Sequence, residues 1–192
     1  MKQKVVTVVA WLLFLQGAIV FAGVPAHLPP APKGYSWRWF ESIKAGLLVP
    51  QGWFVKEESK AGTHAFFITK ESIEKGSRFK TGFSLNVVQN SSKKTGVPPS
   101  EYAKQFINKM ASTTQSSEVR PVGDGTYFKG YGGFFRSRPA KEEIVVQYTL
   151  TLGNDKTGTL YICTFESPER EWSAAWKLGS AIIDNLALET EF

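Results

Sequence analysis

The chain of 192 residues carries one cysteine, two histidines and three aspartates, and each scarcity closes off a kind of architecture or chemistry. A single thiol cannot close an internal disulfide, and two histidines with one cysteine leave no ligand set for a structural zinc site. The fold must therefore rest on an apolar core. With 42% hydrophobic and 14% aromatic residues the material for one is present, and a domain of this size buries about 70% of the surface its unfolded chain exposes. Charged residues make up only 21%, too few for a solvated, disordered chain. Long apolar runs are scarce as well. The stretch from Val5 to Ala22 reaches the roughly 17 to 25 residues that can span a bilayer, although Gln16 and Gly17 interrupt its far end.

That stretch reads as an export address. Lys2 and Lys4 precede the apolar run, and Val20-Phe21-Ala22 offers a small-residue exit, so residues 1–22 are expected to be a signal peptide cut after Ala22. A retained anchor is the other reading, and contact with a membrane is expected only in that case. The sole cysteine, Cys163, is far from the cleavage point, which excludes lipidation there. The destination is the periplasm, the cell envelope or the medium. The formal net charge of +6 includes the two leader lysines, so the exported chain is mildly basic and no nucleic-acid partner is expected. Residues 23–36, with prolines at 25, 29, 30 and 32, read as an extended spacer. Residues 37–192 then form one domain, expected to act as a monomer.

Within that domain the apolar pattern switches between periods of two and four. Strand chemistry covers Trp37 to Glu41, Ala45 to Val49, Phe54 to Glu58, His64 to Lys70 and Gly82 to Gln89. After a polar loop from Asn90 to Pro99, Ser100 caps a helix to Ala111 on which Tyr102, Phe106 and Met110 recur at four-residue spacing. Strands return at Glu118 to Val122, Tyr127 to Arg138, Ile144 to Leu152 and Thr159 to Glu166. The alternation of Ile144, Val146, Tyr148, Leu150 and Leu152 with their neighbours marks an antiparallel strand covered on one face. Ser167-Pro168 opens a last helix to about Leu188, its buried stripe formed by Trp172, Trp176, Gly179, Ile183 and Leu186. Strands in runs closed by helices predict an α+β domain with an antiparallel sheet.

Leu160-Tyr161-Ile162-Cys163, with Trp172 on the final helix, resembles the C-terminal signature of the PsbP family, the extrinsic lumenal subunits of the photosystem II oxygen-evolving complex. Gly46-Leu47-Leu48-Val49-Pro50-Gln51-Gly52-Trp53 resembles that family's early strand with its proline and tryptophan. The resemblance covers most of residues 40 to 188. It implies an α-β-α sandwich around a central antiparallel sheet and a non-enzymatic accessory protein that docks on a larger, membrane-bound complex. In photosystems such proteins help to retain calcium and chloride. A single short leader and the lack of a cysteine at the cleavage point depart from the photosynthetic members and favour a bacterial envelope relative. A photosystem II accessory factor with bound calcium, and an envelope hydrolase whose site is assembled from distant residues, are the alternative expectations.

No catalytic constellation has a defensible spacing, so no catalytic, cofactor or metal residue is assigned. His27 and His64 stand apart from other ligands, and Asp124 and Asp155 occupy turn contexts. Glu166, Glu169 and Glu171 offer a weak calcium possibility, but the acids of a helix's first turn also complement its dipole. Gly130-Tyr131-Gly132-Gly133 runs into another strand segment rather than a helix, which favours a bulge or close backbone packing over a phosphate loop. Cys163, in an apolar run, is expected to be buried. A partner surface is the remaining candidate: Arg136, Arg138, Lys141 and Lys129 for an acidic partner, and Trp37 and Trp39 as aromatic anchors. The other readings are the solvated face of a strand for the cations and core packing for the tryptophans.

Overall fold

The computed structural model describes residues 28–60, 62–74, 78–116, 118–123, 125–138 and 143–188. The expected signal peptide, the first residues of the spacer, His27, Asp124 and Lys141 lie outside the described residues.

The strongest alternation lies at the centre of the sheet. β9 (Val145–Asn154) runs antiparallel between β10 (Thr159–Pro168) and β8 (Lys129–Ser137), with Leu150 opposite both Cys163 and Gly132. On its other side β10 pairs with β5 (Gly82–Val88), followed outward by β4 (Thr63–Thr69) and β3 (Phe54–Lys60). Two short strands, β6 (Gln115–Ser116) and β7 (Arg120–Val122), pair with the far edge of β8 and complete an eight-stranded sheet. All its pairings are antiparallel, and the α+β class expected from the sequence is what is observed.

Because side chains alternate across a strand, each face of this sheet carries its own set. One face presents Phe66, Ile68, Phe83, Leu85, Leu150, Tyr161, Cys163 and Phe165, all in the main core. It is covered by α3 (Trp172–Asp184) and by a second, three-stranded sheet of β1 (Tyr35–Phe40), β2 (Ala45–Pro50) and β11 (Ala187–Leu188). Phe40 meets Phe66 across this boundary with ring centroids 4.4 Å apart. The opposite face receives α2 (Pro99–Thr113), which buries Ala103 and Ile107, and Thr151 Oγ1 donates to the Ala103 carbonyl at 3.2 Å. Helices thus lie on both sides of the sheet, with the small sheet sharing the α3 layer.

Three local expectations are corrected. The Asn90 to Pro99 loop contains a short helix, α1 (Ser91–Thr95), entered through Asn90 at φ 52° and left through Gly96 at φ 77°. Its polar composition gives no periodic signal, and the Ser91 N–H is held by the Gly158 carbonyl at 2.7 Å. Ser100 is not a cap: α2 starts at Pro99, and Ser100 sits in its first turn. Asp155, on the β9–β10 hairpin, accepts both the Ser100 N–H at 2.9 Å and its hydroxyl at 2.7 Å. The final helix does not run from Ser167 to Leu188. Ser167 is buried in β10, Glu169–Glu171 make one 3-10 turn, and α3 ends at Asp184. Ala187 and Leu188 then pair with Gly46 and Ala45, which satisfies backbone groups on the second edge of the fully buried β2.

Residues 28–34 of the proline-rich segment fold back on the small sheet. The Trp37 indole donates to the Pro29 carbonyl at 2.7 Å, Gln51 N–H donates to Gly34 at 2.7 Å, and Leu28 lies over Gly46.

Candidate functional site

Tyr148 on β9 stands directly opposite Phe134 on β8, so both rings project from the face that carries α3. The helix brings two more rings, Trp172 and Trp176, which share one side of it by their four-residue spacing and stack at 5.2 Å with planes 14° apart. Phe134 lies 4.8 Å from Tyr148, 5.2 Å from Trp176 and 6.0 Å from Trp172. Phe165, fully buried, supports both tryptophans from below at 5.9 and 6.0 Å. The cluster is rigid underneath and open on top, where Phe134 is 36% exposed. Glycine makes the arrangement possible: a Cβ on Gly132 would run into the Tyr148 hydroxyl, and one on Gly130 into the Thr151 carbonyl. The close backbone packing expected of Gly130 to Gly133 is observed at Gly130, and Gly132 makes room for the Tyr148 hydroxyl of the ring cluster.

Charge surrounds the rings. Arg136, two residues beyond Phe134 on the same face, pairs with Glu169 in the turn that leads into α3. Phe134, Arg136, Val146 and Trp172, with Gln115 and Ser116 of β6, line a shallow cleft of about 320 Å³. Arg138 follows the strand end, exposed and without an ion pair to any described residue. Burial, and then the charge of Asp184, push the Tyr148 phenol above its ordinary value, so it stays neutral and able to donate.

Of the expected partner residues, Arg136 and Arg138 share this end of β8. Lys129 sits at the other end, about 23 Å along an extended strand, and alternation turns it to the α2 face. Lys141 lies outside the described residues. Trp37 and Trp39 are elsewhere, opposite Leu48 and Gly46 on the outer face of the small sheet, half-buried beneath residues 28–32. The rings of Phe134 and Tyr148 were not singled out from the sequence as a surface, and Trp172 and Trp176 read there as core. Their spacing signals a common face and not how far that face is covered.

The three glutamates are dispersed. Glu169 pairs with Arg136, Glu171 accepts from Lys70 Nζ at 3.1 Å, a hydrogen bond that holds its carboxyl below the usual range, and Glu166 points to the α2 face. Among the described residues no three His, Cys, Asp or Glu side chains gather as a metal site. His64 Nδ1 lies 2.8 Å from Ser59 Oγ across the β3–β4 pair, with no carboxylate bonded to the imidazole among the described residues. Cys163 is fully buried, as expected, and burial pushes its thiol up to about 12, which leaves it protonated and unreactive.

No family model and no curated protein matches this chain. Among solved structures it is similar to the Ran-binding protein Mog1p of Saccharomyces cerevisiae, at 10% identity and a TM-score of 0.47, over 80% of this chain and 95% of that one. It is similar to cyanobacterial PsbP (CyanoP) of Synechocystis sp. PCC 6803, at 11% identity and a TM-score of 0.49, over 88% and 99%. A protein of unknown function from Pseudomonas aeruginosa, described as a putative regulator, matches at 10% identity and a TM-score of 0.41, over 77% and 94%.

Proposed function

We propose that this chain is an exported accessory protein that binds another protein through the end of β8 and the start of α3, and that it carries out no chemistry of its own. The observation behind the proposal is the ring of Phe134, held open on a buried aromatic base beside Arg136 and Arg138. Aromatic and arginine side chains at one spot are the residue types that anchor protein interfaces, and a base already packed costs little ordering entropy on binding. The mildly basic balance left once the two leader lysines are removed, and Arg138 without an ion pair among the described residues, favour a partner that is acidic at its rim and apolar at its centre. We assign that surface to a membrane-bound complex, with the protein acting as a single copy. Lys2, Lys4 and the apolar run after them support export, and the motifs around Trp53 and Cys163 support a place among bacterial relatives of PsbP. An envelope hydrolase finds support only in the partly buried Glu166 described below, and the Ser59–His64 pair lacks the carboxylate that would complete a triad.

The test compares variants against a partner retained from native envelope extract and then purified. Phe134→Ser with Arg138→Glu should weaken binding about tenfold or more in a protein that stays folded, its melting temperature lowered by the loss of the ring contacts of Phe134. Lys104→Glu with Lys109→Glu, a larger charge change on exposed positions of α2, should leave it unaltered. Equal loss in both variants would reduce the effect to net charge and remove the assigned face.

A further inference from the structure

The α2 face of the large sheet is not covered along its whole length. α2 lies over the hairpin end of β8, β9 and β10, while the segment 78–80 approaches the opposite end. Beside that segment, over the ends of β8, β9 and β10, is a cleft of about 740 Å³, within the range of small-molecule sites. Its position follows from the register. Glu166 is opposite Gln147 on β9 and Gly82 on β5, and its side chain leaves the sheet on the side away from Phe165. Gly82 has no side chain, and Phe79 lies against the sheet in that space. The apolar wall is Phe79, Val145 and Pro168; Gln147 and Glu166 form the polar floor, and Arg78 and Lys80 stand at the exposed rim.

The charges here do not match one another. Glu166 is partly buried and its carboxylate makes no hydrogen bond or ion pair with any described residue. Burial pushes its carboxyl above the usual carboxylate range, against the pull of Arg78. Leaving such a group without a donor is costly, which makes an unfilled carboxylate in a cleft a pointer to a ligand. The surrounding acids and cations are otherwise engaged: Lys56 pairs with Glu58 at 2.7 Å, and Glu143 with Arg170 at 3.1 Å. Arg78 and Lys80 make no ion pair with a described residue. The cleft therefore offers one anionic and two cationic positions close together, beside an aromatic wall.

We propose that this cleft binds a small zwitterion with an apolar side chain, an α-amino acid of the phenylalanine or leucine kind. Its ammonium group sits on Glu166, its carboxylate on Arg78 and Lys80, and its side chain against Phe79, Val145 and Pro168. The site is on the opposite side of the sheet from the docking face and does not depend on it.

Calorimetric titration of the full chain tests this with three probes: L-phenylalanine, 3-phenylpropionate, which lacks the ammonium, and phenethylamine, which lacks the carboxylate. L-phenylalanine should bind saturably at one site, and each single-charge probe about tenfold more weakly or worse. Glu166→Gln should weaken L-phenylalanine by a similar factor, and so should Arg78→Ala. Arg78 is exposed, so its variant decides the matter alone should Glu166→Gln fail to fold. No saturable binding through the millimolar range, equal binding of all three probes, or an Arg78→Ala protein that binds like the parent would overturn the proposal.

Discussion

Gly179 lies on α3 where the helix passes over the buried ring of Phe165, and a Cβ added there would meet the ring at its root. Alanine in place of glycine gains about 1 kcal/mol of helix propensity in an exposed helix. Here it must displace a ring that also supports Trp172, Trp176 and Trp53, and overpacking of this kind costs roughly 1 to 3 kcal/mol. The steric term wins. Gly179→Ala should therefore lower the thermal midpoint by several degrees, and an increase would show that the helix can slide away from the ring. At this scale the sequence was informative wherever chemistry is local. Cys163 is flanked by apolar neighbours and is buried; Gly130 and Gly132 run on into strand residues, lie within β8 and are packed against backbone and a hydroxyl. It offered Glu166 only as a weak calcium ligand and not as part of a cleft, because Arg78, Gln147 and Phe79 come to that carboxylate from separate strands and loops.

The elements follow periodicity where one face is buried and depart from it where a distant partner takes over. β9 and α2 lie close to where alternation and four-residue spacing put them. The start of α2 is fixed by a carboxylate from the β9–β10 hairpin, which no local pattern contains. Asp155→Ala removes the acceptor for both the Ser100 N–H and its hydroxyl, and loss of a capping interaction costs about 1 kcal/mol. Hydrogen exchange should speed up in the first turn of α2 and in the hairpin, while the amides of β4 and β5 keep their protection. Uniform loss across the sheet would contradict a local cap. The end of the chain shows the same competition. Leu186 continues the apolar stripe of α3, but a helix carried through Leu188 would leave the β2 edge unpaired, and strand pairing prevails.

At the scale of the molecule, runs of strands closed by helices were enough to read an α+β domain with a central antiparallel sheet. The composition of the outer layer was less legible, since β1, β2 and β11 come from both ends of the described chain and are joined only by pairing. That small sheet and α3 share one layer, and where α3 begins, the rings of Phe134, Trp172 and Trp176 lie at the surface beside Arg136. Of the five expected partner residues that are described, Arg136 and Arg138 fall at or next to this place, whereas Lys129, Trp37 and Trp39 are separated from it by the length of a strand or by a sheet. The most direct measurement is site-specific photo-cross-linking in the native host, with the photoreactive group placed at position 134 or at the exposed position 104 of α2. The account predicts one discrete adduct from position 134, lost when Arg138→Glu is added, and none from position 104. Adducts of equal yield from both positions, or none from position 134 in a folded and correctly exported protein, would contradict it.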